Sequence, residues 1–65
     1  MFLQVRRARK EAGLTQEELA AAMGVTIRAV SHWEAGTREP RGKSLRNLAE
    51  ATGKPVSWFF EEVAA

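Results

Sequence analysis

Sixty-five residues make one small domain. A chain of this size buries only about 60% of the surface its unfolded form exposes, so it is marginal alone and gains from a partner. Cysteine and aspartate are absent and His32 is the only histidine, which leaves no disulfide, no thiolate metal site and no serine–histidine–aspartate triad to build. No apolar run reaches membrane-spanning length or follows the basic N-terminal residues as a signal peptide requires, so the expectation is a soluble, intracellular, non-enzymatic protein with no cofactor and no metal.

The formal net charge of +2 is unevenly placed: residues 1–46 carry a surplus of +4 and residues 47–65 a deficit of −2. A basic body with an acidic end suits a domain that turns one side toward a polyanion, although a well-solvated surface has the same composition.

The apolar periodicity predicts five helices and no strand. Residues 2–12 form the first, with Phe2 or Leu3, Val5, Ala8 and Ala12 as a thin apolar stripe and Gly13 as its stop. Arg6, Arg7 and Lys10 fall on the solvent side. Residues 16–23 form the second. Thr15 and Glu18 fit a capping box, Leu14 and Leu19 a hydrophobic staple, and Gly24 ends the helix because a residue without Cβ enters the left-handed region at little cost. Residues 27–35 form the third, capped by Thr26 and stapled by Val25 and Val30, with Gly36 closing it. Ala29, Val30 and Trp33 share one side of that helix; Ile27, Arg28, Ser31 and His32 share the other.

The loop GTREPRGK follows, in which Pro40 holds Glu39 extended. Residues 43–52 form the fourth helix, with Leu45, Leu48 and Ala49 inward and Gly53 beyond its end. Residues 56–63 form a short fifth, with Pro55 tolerated at its start. Three consecutive aromatics cannot share one face. Phe59 completes the core with Leu48, Trp58 packs beside it, and Val56, Phe60 and Val63 make a stripe with nothing left to cover it, which is either a tolerated patch or a subunit interface.

The run GLTQEELAxxMGVTxxxVSxWExG, with Arg9 upstream and Gly36-x-Arg38-x-Pro40 downstream, resembles the helix-turn-helix of the phage-repressor group (Cro and repressor, or XRE) of DNA-binding domains. The likeness runs from about Val5 to Phe60. It implies a compact, lambda-repressor-like bundle over residues 1–65 in a prokaryotic or phage-encoded cytoplasmic protein. It also implies that Arg9 pairs with Glu34, for which there is a physical case: beside Trp33 at the core edge, a charge needs a partner. Independent solvation of the two is the alternative. Arg41-Gly42 departs from the family pattern of a serine cap followed by an apolar residue, so the fourth helix is expected to start more loosely. Thr52 and Lys54 stand where the family has apolar residues, which is expected to weaken that corner of the core.

The third helix has the width and polarity for a DNA major groove, with its first residues at base edges and the second helix across the backbone. Arg28 can donate twice to guanine, Ile27 can pack on a thymine methyl or merely be exposed, and Ser31 and His32 can reach a base or a phosphate. Thr26, Arg38, Arg41, Lys43 and Ser44 are placed for phosphate. The resemblance implies that Gln16 meets phosphate and braces the third helix; otherwise it is a solvent-facing residue of a helix start. Trp33 could stack on single-stranded bases, but its phase with Ala29 and Val30 assigns it to the core.

The resulting expectation is a repressor-like transcriptional regulator bound to double-stranded DNA as a homodimer on a two-fold-related operator, with Val56, Phe60 and Val63 at the dimer interface. The alternative is an antitoxin or restriction–modification controller of the same fold that regulates its own operon and binds a protein partner, a toxin or co-regulator, through the fifth helix.

Overall fold

A computed structural model describes residues 4–60. Four α-helices follow in order: α1 Gln4–Glu11, α2 Gln16–Met23, α3 Ile27–Ala35 and α4 Lys43–Thr52. A 3-10 helix, Val56–Phe60, closes the described chain. The five-helix bundle is therefore corrected to four α-helices and a 3-10 turn. Phe2 and Leu3 of the first expected helix and residues 61–63 of the fifth lie outside the described residues.

Local chemistry accounts for the helix ends. Thr15 Oγ1 accepts from Glu18 N–H at 3.0 Å while Glu18 Oε1 accepts from Thr15 N–H at 2.8 Å, a complete capping box. A cap of this kind stabilises a helix by about 1 kcal/mol. Thr26 repeats the first half of the device, accepting from Ala29 N–H at 3.1 Å. Between them Gly24 has φ +68°, and a Cβ built there would meet nothing within 4 Å. The turn thus demands glycine for its backbone conformation and not for space.

The core comprises Val5 and Ala8 of α1, Leu19, Ala20 and Met23 of α2, Val30 and Trp33 of α3, Leu48 and Ala49 of α4, and Phe59. Leu14, Val25, Ala29, Leu45 and Trp58 pack against it half-buried, so each staple residue preceding a cap lies at the core's rim. Helix α2 packs on α3 and α4, α1 on the same two, and the 3-10 helix on α4. Ala12, expected in the α1 stripe, is exposed beyond the end of the helix.

The 3-10 geometry explains how three aromatics in a row are placed. At three residues per turn, consecutive side chains point a third of a turn apart. Phe59 is buried, Trp58 is half-buried with its ring edge-on to Phe59 at 5.1 Å, and Phe60 is 65% exposed. The turn closes with Trp58 N–H donating to Pro55 O at 3.0 Å, and Gln4 Nε2 donates to Trp58 O at 2.7 Å, tying this segment to α1.

Two expectations about α4 resolve differently. At the corner expected to be weak, Thr52 is buried and its hydroxyl donates to Leu48 O at 2.7 Å, so a polar atom among apolar neighbours is satisfied. Lys54 lies over the Trp58 ring at 4.8 Å and pairs with Glu11 at 2.6 Å. Its stem and charge therefore take the place of an apolar residue. The α4 start is as loose as its sequence suggests: Gly42 stands at the cap with φ +49° and no side chain closes the helix.

Candidate nucleic-acid interface

Helix α3 divides into two faces. Val30 and Trp33 are buried, while Thr26 at the cap and Ile27, Arg28 and Ser31 in the helix are exposed, Ile27 at 46%. His32 is half-buried at the border. Burial of Trp33 assigns it to the core and takes away the stacking role.

One groove gathers much of the expected site. Thr26, Arg28 and His32 line it from the start and side of α3, Arg38 and Glu39 from the α3–α4 loop, and Ser44 from α4. A neighbouring concavity along the loop adds Thr37 and Arg41 to Arg38 and Glu39. Lys43 is exposed at the first position of α4, beside the uncapped Gly42. Arg28, Arg38, Arg41 and Lys43 are all exposed, and they give this side the cationic character that a polyanion requires.

Gln16 and Ser31 belong to a second cleft, on the other flank of α3, with Arg6, Arg9, Glu34 and Ala35. Its floor is a buried ionic network. Arg9 Nε and Nη2 donate to the two oxygens of Glu34 at 2.6 and 3.2 Å, and Arg9 Nη1 donates to Leu14 O at 2.9 Å. Gln16 Nε2 donates to Glu34 Oε1 at 3.1 Å. The Arg9 and Glu34 side chains are 12% and 7% exposed, so this fork-to-fork pair is largely desolvated. It joins α1 to the end of α3 and orients the first residue of α2 from beneath. The Gln16–Glu34 contact links α2 to α3, as the bracing role implied by the resemblance requires, though residue spacing alone does not point to Glu34 as the partner.

Nothing in the sequence neighbours of Thr37 distinguishes it from an ordinary loop threonine. Its Oγ1 lies 2.9 Å from His32 Nδ1 and 3.2 Å from His32 O. Of the residues expected at a dimer interface, Val56 is 37% exposed and Phe60 is exposed on the same short turn, while Val63 lies outside the described residues.

Away from the α3 surface, Glu11 accepts from Arg7 Nε at 2.9 Å and from Lys54 Nζ at 2.6 Å. The Lys54 and Arg7 hydrogen bonds, in that order, hold its carboxyl below the usual carboxylate range. Arg7 also lies 5.5 Å from the centre of the Trp58 ring. Among the described residues no helix is long and apolar enough to cross a membrane, and no cluster of three or more metal-ligating side chains occurs.

Two short helices joined by a glycine turn, the second with its polar side turned to solvent, define the helix-turn-helix class. A helix-turn-helix family model matches residues 5–59. The chain belongs to this family, in its phage-repressor-like (XRE) group of DNA-binding domains. It is 36% identical over 56 residues to the HTH-type transcriptional regulator DicA of Escherichia coli, covering 86% of this chain and 42% of that one. It is 32% identical over 59 residues to an HTH-type transcriptional regulator of Sinorhizobium medicae, covering 91% and 42%. A similar regulator of Methanothermobacter thermautotrophicus is 42% identical over 50 residues, covering 77% and 72%. The chain thus spans about two fifths of the length of the first two relatives.

Proposed function

We propose that this chain is a sequence-specific, double-stranded-DNA-binding transcriptional regulator that places α3 in the major groove and binds a two-fold-related operator as a homodimer. The observation that carries the reading is the division of α3: its apolar side is consumed by the core, and Ile27, Arg28 and Ser31 on the other side are exposed among the described residues. A major groove admits one such helix.

In this reading Arg28 reads a guanine through its planar fork, Ile27 packs on a thymine methyl, and Ser31 and His32 contact bases one turn further along. Gln16, Thr26, Arg38, Arg41, Lys43 and Ser44 hold phosphates on both flanks, contributing affinity without sequence information. Arg9 and Glu34 act only by keeping α1, α2 and α3 in register. Recognition helices of the dimer sit about 34 Å apart, one turn of duplex. Control is by occupancy of the site, with no chemical step.

Selection of bound sites from random duplexes, with retention measured across a salt series, tests all of this together. A two-fold-symmetric motif and a steep loss of affinity with salt are expected. Weak retention at low salt would sink the reading and leave a protein-interaction module of the same fold. The exposure of Phe60 supports a second job for the same domain, as an antitoxin or restriction–modification controller that engages a protein partner through the Val56–Phe60 turn. Co-purification of a defined partner that competes with self-association would favour it.

A further inference from the structure

The side chain of His32 meets the loop that follows its own helix, and the meeting is constrained by a single proton. Thr37 Oγ1 lies within hydrogen-bond distance of two groups of the same residue, His32 Nδ1 at 2.9 Å and His32 O at 3.2 Å. The same carbonyl accepts the N–H groups of Gly36 and of Thr37, the latter at 3.1 Å, and lies 3.4 Å from Arg38 N–H, so it anchors the C-terminal cap of α3. A hydroxyl has one proton to give. If Thr37 gave it to Nδ1, the hydroxyl oxygen would face the carbonyl oxygen at 3.2 Å with no proton between two acceptors. If Thr37 gives it to the carbonyl, its oxygen is left to accept, and Nδ1 carries the hydrogen. Only the second arrangement makes both contacts attractive. A neutral imidazole has one N–H, so Nε2 is then a bare acceptor.

We propose that Thr37 is a positioning residue that locks neutral His32 in the Nδ1–H tautomer, so that the ring offers DNA an acceptor at Nε2 and selects a base carrying an amino group. This rests on the DNA-binding reading above and adds a chemical class of target to it. In the major groove the donors are adenine N6 and cytosine N4; guanine and thymine present acceptors there. The opposite tautomer would offer a donor, to be met by guanine N7 or O6, thymine O4 or adenine N7 instead. Thr37 therefore decides which bases His32 accepts without touching them, from a loop whose neighbours Arg38 and Arg41 supply charge with no sequence information. The groove around His32 is shared with Arg28 of its own helix, Arg38 and Glu39 of the loop and the uncharged Ser44 of α4. No carboxylate other than Glu39 lines that groove to compete for the ring.

Two measurements on the full chain test this. Imidazole nitrogen spectra in mildly alkaline buffer report the tautomer directly, without DNA. Protonated Nδ1 and bare Nε2 are expected in the parent and in Thr37→Ser, and loss of that pattern in Thr37→Val and Thr37→Ala. An Nε2–H ring in the parent would overturn the proposal. Site selection from random duplexes then reads the consequence. At the base pair whose preference disappears in His32→Ala, replacing the amino-bearing base by its analogue without that group (purine for adenine, 2-pyrimidinone for cytosine) should weaken binding by the parent and by Thr37→Ser. Thr37→Val should be roughly 3- to 10-fold less sensitive to that replacement, the worth of one neutral hydrogen bond, while the preference set by Arg28 stays. Unchanged selectivity in Thr37→Val with salt-sensitive binding intact would overturn this inference alone. Absence of duplex binding by the parent would overturn the DNA-binding reading and this inference with it.

Discussion

At the scale of single residues, the side chains that matter divide into those that hold the fold and those left facing outward. Glu34 is the clearest of the first kind. Its carboxylate accepts two hydrogen bonds from Arg9 and one from Gln16 in a site that is mostly dry. Removing one partner of such a pair leaves a buried charge uncompensated, at a cost of about 3–5 kcal/mol. Glu34→Ala should therefore lower the thermal midpoint by roughly 12–40 °C, a large fraction of the stability available to so small a domain; an unaltered midpoint in a melting experiment would show the pair to be dispensable. Arg28 is the clearest of the second kind, exposed on α3 among the described residues. Arg28→Ala should leave the midpoint unchanged and relax selection at one position of each half-site, by the ~1–3 kcal/mol that a bidentate guanine contact contributes. An unchanged selected motif would remove Arg28 from base reading.

At the scale of elements, the caps show why α2 and α3 are short and separate. The Thr15 box, the left-handed Gly24 and the Thr26 cap lie within a dozen residues, and each depends on neighbours close in the chain. These features are legible in sequence because their physics is local. The 3-10 turn is not. Its attachment uses Gln4, Glu11 and Arg7 of α1, against Trp58 and Lys54 some fifty residues later, and no periodicity encodes which α1 residues will meet it. Thr52 likewise looks like a flaw in the apolar pattern until its hydroxyl is found bonded to Leu48 O one turn back.

The Glu11 link has a pH signature. Lys54 and Arg7 hold the folded carboxyl below its ordinary value, so the stability it brings is complete above the unfolded pKa and is lost as pH falls through the lowered folded one. Glu11→Gln should flatten that acid limb of a stability–pH profile while changing the shape of the curve little above neutrality. A parent and variant with parallel acid limbs would deny the link a role.

At the scale of the whole molecule, the exposed cations occupy more than one side: Arg28, Arg38, Arg41 and Lys43 lie on α3, the loop and the start of α4, and Arg6, Arg7 and Lys10 on α1. Exposed Phe60 lies on the closing turn, on the element that α4 holds. If that turn joins two copies, Phe60→Asp should give monomers in sedimentation and weaken operator binding while each copy stays folded. A variant that remains dimeric would move the interface elsewhere.

Helix content, the helix ends at Thr15, Gly24, Thr26 and Gly36, and the split of α3 into apolar and polar sides follow from residue order, since a capping bond or a 3.6-residue stripe involves residues a turn or so apart. The Glu34 hub beneath Gln16, the Lys54–Glu11 link, the 3-10 course of Val56–Phe60 and the hold of Thr37 on His32 needed the folded chain. They depend on where one element comes to rest against another, or on how a loop turns back over its helix, and packing decides that.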